Sequence, residues 1–252
     1  MKKFKLKVAE KVIKINCNYD FSYIYCKDYI TDETEDFSIT INSQDIEFER
    51  ERATLECSDG YLELLAIHRK ISEIMPKYNT ILFHGSVLAI DGKGYLFTAP
   101  SGTGKSTHTR LWKKYFKDRV IVVNDDKPFL KIEGNEIFAY GTPWDGKHRL
   151  SSNIKVPLKG ICILSQDKEN WIKKINGKNV YPYLYNQVYH ILNERENAIK
   201  TLQIFDKLLK IVPIYKMGCS TLLLEIHTLF YIGQELDILS FYQDYLCFLH
   251  KL

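Results

Sequence analysis

The chain has 252 residues, 45% of them hydrophobic and 26% charged, which is typical of a globular protein with one sizeable core or one domain plus a small appendage. The net charge of +4, from 35 basic and 31 acidic residues, is too small an excess to predict a nucleic-acid-binding surface. No terminal run has the length and apolarity of a membrane span or a signal peptide, so we expect a soluble protein with no membrane partner.

The cysteines are scattered and form no Cys-x-x-Cys pair, and several lie among apolar residues. They are Cys17, Cys26, Cys57, Cys162, Cys219 and Cys247. Buried free thiols are typical of a reducing compartment, which predicts a cytoplasmic protein.

Residues 1–58 alternate apolar and polar side chains in short runs that are separated by Asp, Asn, Ser and Thr. The runs are FKLKVAEKVIKI, FSYIYC, FSITI and IEFER. This pattern is typical of small antiparallel strands. We therefore predict a β-rich amino-terminal lobe over 1–58 and a second domain over 59–252.

From Asp59 the spacing of the apolar residues becomes that of a helix. It places Leu62, Ile67 and Ile71 largely on one face, with Pro76 near the end. The next segment, TILFHGSVLAIDGKGYLFTA, contains two apolar runs around DGKG, which predicts a hairpin. Its second strand leads into a glycine-rich loop, and the residues after that loop have apolar side chains at helical spacing.

The remaining pattern predicts a short buried strand at RVIVVNDD, a hairpin in PFLKIEGNEIFAYGTPW that turns at 133–135, and another buried strand at LKGICILSQ. We expect helices from about Tyr183 to Leu209 and again after Gly218. The fold class is α/β (α+β), with mixed sheets and flanking helices.

The stretch TAPSGTGKSTHTRLW places glycines beside a lysine and a serine where a strand passes into a helix. Unpaired backbone amides and the positive helix end can then face a polyphosphate, with Lys105 on the β and γ phosphates and the Ser106 hydroxyl on Mg²⁺. The residues predicted to bind the nucleotide are Ser101, Gly102, Thr103, Gly104, Lys105, Ser106 and Thr107. Ala99 replaces the usual first glycine, and the alternative is a surface turn that caps a helix.

Asp125 and Asp126 follow Lys105 after about twenty positions, enough for one helix and a returning strand, so both acids are expected beside the loop. One carboxylate can hold the metal and the other can accept a proton from an attacking hydroxyl. The alternative is a solvated NDDKP turn. His84 is either a structural histidine or a residue that contacts these acids and tunes their proton affinity.

The segment YGTPWDGKHRL supplies further positive charge in a loop shaped by glycine and proline. Lys147 and Arg149 could clamp phosphate oxygens, and the alternative is a solvated basic turn. Trp144 either stacks on a base or packs in the protein.

The stretch FHGSVLAIDGKGYLFTAPSGTGKST, followed by VIVVNDD, resembles the catalytic core of the bacterial HPr kinase/phosphorylase family. Its architecture is similar to that of the ATP-dependent phosphoenolpyruvate carboxykinases. The resemblance covers about residues 80–164. It implies a P-loop fold of this type in a catalytic domain over 59–252, with ATP and Mg²⁺ as cofactors and a serine hydroxyl as acceptor.

Individual roles also follow from the resemblance. It implies that Lys105 contacts phosphates, that Ser106 and Asp125 bind Mg²⁺, that His84 supports the acids, and that Asp126 is the base toward the hydroxyl.

The chain departs from the family pattern at three places. Thr107 stands where these kinases usually have glutamate, which argues against the reverse phosphorolysis reaction. The carboxyl-terminal glycine- and arginine-rich signature for binding HPr has no clear counterpart, and the first lobe is shorter. These departures indicate a paralogue with a different acceptor, a peptide, protein or small molecule. The oligomeric state stays open, with a homo-oligomer among the alternatives.

Two other functions remain open at this point. One is a carboxykinase-like lyase, for which the chain offers few carboxylate-binding cations beyond Arg110, Lys147 and Arg149. The other is a non-catalytic, nucleotide-responsive binding module, which would not require two acids at the γ-phosphate end.

Overall fold

The computed structural model describes residues 2–100, 102–146, 149–168, 171–191 and 194–219. The strands are β1 (Lys2–Val8), β2 (Lys11–Cys17), β3 (Phe37–Thr40), β4 (Thr80–Leu82), β5 (Ser86–Ile90), β6 (Lys93–Thr98), β7 (Val120–Asn124), β8 (Phe129–Glu133), β9 (Glu136–Tyr140), β10 (Lys155–Gln166), β11 (Trp171–Ile175) and β12 (Ile214–Cys219). The helices are α1 (Asp20–Tyr25), α2 (Ser43–Arg52), α3 (Asp59–Ile74), α4 (Lys105–Phe116), α5 (Tyr181–Tyr185) and α6 (Arg195–Ile211).

The strands form two sheets. The small sheet has the order β1-β2-β3, with β1 antiparallel and β3 parallel to β2. The large mixed sheet has the order β4-β8-β9-β10-β6-β5-β7, and β12 and β11 extend it beyond β10. The long strand β10 joins its two halves, because it pairs with β9 at its start and with β6 and β12 further along.

Helices cover both faces of the large sheet. On one face, Ile204, Phe205 and Leu208 of α6 pack into a core with the sheet residues Val87 and Ile161. On the other face, α4 contributes Trp112 to a second core. The mixed α/β fold with flanking helices predicted from the sequence is therefore present, in a three-layer arrangement.

The amino-terminal lobe has its own core, formed by the small sheet and α3. Leu6 and Ile15 from the strands pack with Leu62, Ile67 and Ile71 from the helix. The Ser58 side chain accepts a hydrogen bond from the backbone N–H of Tyr61 and caps α3. The domain boundary at residue 58 stays a prediction, since the core of the lobe continues into the helix that follows it.

Two strands predicted in this lobe are wrong. FSYIYC forms α1 and IEFER lies in α2. A capping box starts α2, in which the Asn42 side chain accepts the Asp45 amide and the Asp45 carboxylate accepts the Asn42 amide, each at 3.0 Å. This local cap favours a helix in spite of the β-branched and aromatic residues that follow.

The hairpin predicted around DGKG is confirmed. Asp91 and Gly92 both have positive φ, 48° and 75°, as in the type I′ turn that joins twisted antiparallel strands. The predicted hairpin at 133–135 is also present as β8 and β9. The predicted helical stretch from Tyr183 to Leu209 is divided between α5 and α6, and the helix expected after Gly218 lies outside the described residues.

Five of the cysteines lie in the described part of the chain, and all of these are free; Cys57 is partly exposed and the other four are buried. No helix within the described ranges is long and apolar enough to cross a membrane.

Candidate active site

Two strand ends meet at one edge of the large sheet. Strands β6 and β7 run in the same direction, because each pairs antiparallel with β5, which lies between them. The chain leaves β6 after Thr98 into the glycine-rich loop and leaves β7 after Asn124 into the two aspartates. At the usual spacing of strands, these two ends lie about 10 Å apart.

The glycine-rich loop has a backbone that only glycine adopts readily. Gly102 and Gly104 have φ of +78° and +114°, and a Cβ placed on either would meet no atom within 4 Å. Gly104 is the residue before α4, and no described side chain caps this helix end. The first amides of α4 are therefore available to an anion, and the helix dipole favours one there. Ser101 lies outside the described residues.

Lys105 is the first residue of α4. Its Nζ donates a hydrogen bond to the backbone oxygen of Ala99 at 2.7 Å, so the side chain folds back over its own loop. Burial lowers the pKa of Lys105, and the nearby negative charge of Asp126 opposes this shift. Ser106 is exposed and Thr107 is partly exposed, so the hydroxyl of Ser106 is accessible from solvent.

Asn124 holds the two acids in place. It is fully buried, and its Oδ1 accepts hydrogen bonds from the backbone N–H groups of Asp126 at 2.9 Å and Lys127 at 2.6 Å. Its Nδ2 donates to the backbone oxygen and the hydroxyl of Thr142 at 3.1 and 3.0 Å. An asparagine used in this way turns the chain sharply at the end of β7.

The two carboxylates have different surroundings. Burial raises the pKa of Asp125, although its Oδ1 accepts the Gly146 amide at 2.7 Å; the charge of Asp145 raises it further. Burial also acts to raise the pKa of Asp126, but the hydrogen bond from His84 and the charge of Lys127 outweigh it, so this pKa is lowered. Asp126 is therefore the more readily ionised carboxylate of the pair.

His84 and Gly85 connect the acids to the loop strand. The Nε2 atom of His84 is 3.3 Å from Oδ1 of Asp126, and the Gly85 amide donates to the Asp126 backbone oxygen at 3.0 Å. On the other side, the Thr98 hydroxyl donates to the backbone oxygen of His84 at 3.4 Å. A Cβ on Gly85 would lie 3.0 Å from the oxygen of Phe97, so a larger residue would crowd β6.

The basic turn after β9 lies against the amino-terminal lobe. The Arg149 guanidinium is 3.7 Å from the centre of the Tyr25 ring and donates to the Tyr25 backbone oxygen at 2.8 Å. Its role as a phosphate clamp stays a prediction, and Lys147 lies outside the described residues. Trp144 is buried and stacks on His68 at 4.6 Å, which agrees with the packing alternative.

A cavity of about 590 Å³ opens beside the glycine-rich loop. Pro100, Gly102 and Thr103 line one side of it, and Tyr183 and Lys216 lie among the other lining residues. The residues Ile163 to Gln166, at the carboxyl end of β10, complete much of its wall. Its size is within the range of small-molecule sites, and clefts at the carboxyl ends of strands commonly bind ligands in α/β proteins.

The side chains at this edge suit a metal that is held mostly by phosphates and water. Among the described residues, no group of three or more His, Cys, Asp or Glu side chains is arranged to hold a metal ion. Magnesium usually binds through one or two carboxylates together with water and substrate phosphates. The exposed Ser106 hydroxyl and the two aspartates supply oxygen atoms of the required kind.

The sequence interpretation missed three contributors to this site. They are Asn124, Thr142 and Gly146. For Asn124, the tendency of asparagine to form turns is a sequence feature from which its role could be predicted. The other two act through contacts between distant segments, and nothing in the local sequence indicates them.

No family model matches the chain, and no curated protein matches it significantly. Among solved structures, the Hpr(Ser) kinase/phosphatase from Coxiella burnetii is similar, with 14% sequence identity and a TM-score of 0.33. The alignment covers 64% of this chain and 97% of that chain.

Proposed function

We propose that the protein is an HPr-kinase-like phosphotransferase that uses Mg²⁺ and ATP to transfer the γ-phosphoryl group to a hydroxyl, namely that of a serine. The acceptor would belong to a peptide, a protein or a small molecule. One observation carries the proposal. The loop that bears Lys105 and the turn that bears Asp125 and Asp126 leave the same sheet edge, linked by His84 and Gly85.

The loop residues fit a polyphosphate. The open space at Gly102 and Gly104 lets backbone amides approach phosphate oxygens without a side chain between them. The contact of Lys105 with a backbone oxygen is readily exchanged for a phosphate oxygen. The cavity beside the loop has room for the nucleoside.

Catalysis would rest on charge and position. When bound, ATP would supply the γ-phosphoryl group and leave as ADP, and Mg²⁺ would neutralise part of the phosphate charge. Lys105 and the amides at the start of α4 stabilise negative charge on the transferring group. Asp126, which is held by His84 and Asn124, orients the acceptor hydroxyl and accepts its proton. Asp125 and Ser106 would hold the metal.

The proposal includes a cytoplasmic location, in keeping with the free thiols of the described residues. The partners are then the nucleotide and a hydroxyl-bearing acceptor, without nucleic acid or membrane. The oligomeric state stays open in this proposal, with a homo-oligomer among the alternatives.

The direct test is to incubate the purified protein with ATP, Mg²⁺ and a cell extract and to search by mass spectrometry for newly phosphorylated peptides or metabolites. We expect products with the wild type that are absent with Lys105→Ala and Asp126→Asn. Asp118→Asn is a matched control, because Asp118 is an exposed aspartate beyond the end of α4. Wild-type product levels in both Lys105→Ala and Asp126→Asn would refute the proposal.

A further inference from the structure

A second cavity, of about 540 Å³, lies between the amino-terminal lobe and the turn that follows β9. It shares no lining residue with the cavity beside the glycine-rich loop. Its charged and polar lining includes Lys27, Asp28, Tyr29, Asp145, Arg149 and Ser151. The volume is within the range of small-molecule sites.

The Asp145 carboxylate lines this cavity with one oxygen unsatisfied. The side chain is only 2% exposed. Its Oδ2 accepts hydrogen bonds from the hydroxyl of Ser151 at 2.8 Å and from the Ser151 amide at 3.3 Å. Its Oδ1 has no hydrogen-bond partner among the described residues, and its ion pair with Arg149 is long, with the Arg149 Nε 3.8 Å away. A buried carboxylate oxygen without a donor is costly, so the site favours a ligand that brings one.

Tyr29 also lines this cavity, and its hydroxyl is a second buried group without a hydrogen-bond partner among the described residues. Tyr29 is 5% exposed. Ser151 is nearby, but the Tyr29 hydroxyl makes no hydrogen bond of ordinary geometry with the described residues. A protonated amine has several N–H donors and can therefore serve the Asp145 Oδ1 and the Tyr29 oxygen together.

The other charges of the cavity favour a ligand that also has a negative group. Lys27 is exposed and its ammonium has no partner among the described residues. Arg149 keeps 46% of its side chain exposed while it donates to Tyr25. With Asp28 and Asp145, these cations give the described lining residues a net charge of zero, which suits a neutral ligand with separated charges better than a simple cation or anion.

We propose that this cavity binds a small zwitterion of the α-amino acid class, with its ammonium on Asp145 and Tyr29 and its carboxylate toward Lys27 and Arg149. The proposed site needs no nucleotide to bind its ligand. It is therefore independent of the proposed kinase activity. It lies close to the candidate active site, since Gly146, the residue after Asp145, donates its amide to Asp125.

The first test measures binding to the full chain without nucleotide, by thermal shift and isothermal titration calorimetry. The probes are the proteinogenic amino acids, each tested separately, and the N-acetyl and carboxamide derivatives of those that bind. We expect at least one amino acid to bind and each derivative to bind about 10- to 100-fold more weakly, because it lacks one charge-assisted hydrogen-bonding group. The proposal is overturned if none binds at millimolar concentration, or if both derivatives bind as well as the parent.

Two variants test the roles of the side chains. Asp145→Asn keeps an acceptor for Ser151 but removes the charge, and should weaken the amino acid about 10- to 100-fold. Lys27→Ala changes an exposed side chain and should reduce the affinity for the amino acid to that for its carboxamide, without altering the fold. Lys3→Ala, an exposed lysine on β1, is the charge-matched control. Wild-type affinity in Lys27→Ala would contradict the proposal even if Asp145→Asn does not fold.

Discussion

The His84 Nε2 lies 3.3 Å from the Asp126 Oδ1, and the next residue, Gly85, donates its amide to the Asp126 backbone oxygen. Two successive residues just before β5 thus hold one aspartate by its side chain and by its backbone. Because β5 lies between the loop strand β6 and the acid strand β7, this contact fixes Asp126 relative to the glycine-rich loop.

Replacing His84 with alanine should shift the acid limb of the kcat/KM profile to higher pH. Burial raises the pKa of Asp126 and the hydrogen bond from His84 lowers it, so removing the histidine raises this pKa. Asp126 must be ionised to accept a proton, and the variant therefore loses activity at a higher pH than the wild type as the pH falls. The measurement is kcat/KM against pH. His190→Ala changes an exposed histidine and should keep the wild-type limb; an unshifted limb in His84→Ala would show that the contact does not tune Asp126.

Lys105→Ala should reduce kcat/KM for phosphoryl transfer by about 10²- to 10³-fold, because a positive charge at the transferring group is lost. Steady-state kinetics with ATP and the identified acceptor measure the effect. Lys113→Ala, an exposed lysine on the same helix, should behave as the wild type. Equal activity in the two variants would exclude a catalytic role for Lys105.

Gly146→Ala should disturb Asp125 without unfolding the protein. A Cβ at this position would lie 2.8 Å from the Asp125 Oδ2, so the carboxylate must turn away. We expect kcat to fall by about 10- to 100-fold, as for a misplaced catalytic group, with a melting temperature close to that of the wild type. Gly177→Ala is the control, because the nearest atom to its new Cβ would be 3.6 Å away. Wild-type kcat in Gly146→Ala would indicate that the orientation of Asp125 does not matter.

Glu63→Gln should lower the free energy of unfolding by about 1.5–3 kcal/mol. Glu63 is fully buried in α3, and its two carboxylate oxygens accept the backbone N–H groups of Asn18 at 2.6 Å and Tyr19 at 2.9 Å. Glutamine has only one acceptor oxygen at this position, so one of the two backbone N–H groups loses its charged partner. Urea denaturation measures the loss. Glu56→Gln, at an exposed position, should leave the stability unchanged; a similar loss in both variants would contradict this account.

The same contact explains one limit of the sequence interpretation. The stretch that forms α1 follows directly after the amides that Glu63 accepts, and Glu63 is more than forty residues away in the chain. No local pattern could reveal this contact, and the alternation of apolar and polar residues in FSYIYC indicated a strand. In contrast, the capping box that starts α2 is visible as an asparagine and an aspartate three residues apart, and this signal was overlooked.

The candidate site could be predicted from the sequence more fully than the amino-terminal lobe, because its elements follow one another closely in the chain. The glycines, Lys105 and the two acids belong to a single strand–loop–helix–strand segment, so spacing alone predicted that they would share a sheet edge. The position of Arg149 could not be predicted from the sequence, since it depends on the packing of the Arg149 guanidinium against Tyr25 in the amino-terminal lobe. The contact of Gly146 with Asp125 likewise depends on how the turn after β9 folds back.

The most direct test of the central claim is a crystal structure of the protein with Mg²⁺ and a non-hydrolysable ATP analogue. The account predicts β and γ phosphates on the amides of the residues from Gly102 to Ser106, with Lys105 moved from Ala99 to a phosphate oxygen. It also predicts the metal between Ser106 and the Asp125–Asp126 turn. A nucleotide bound elsewhere, or phosphates on the loop with both aspartates directed away from them, would contradict it.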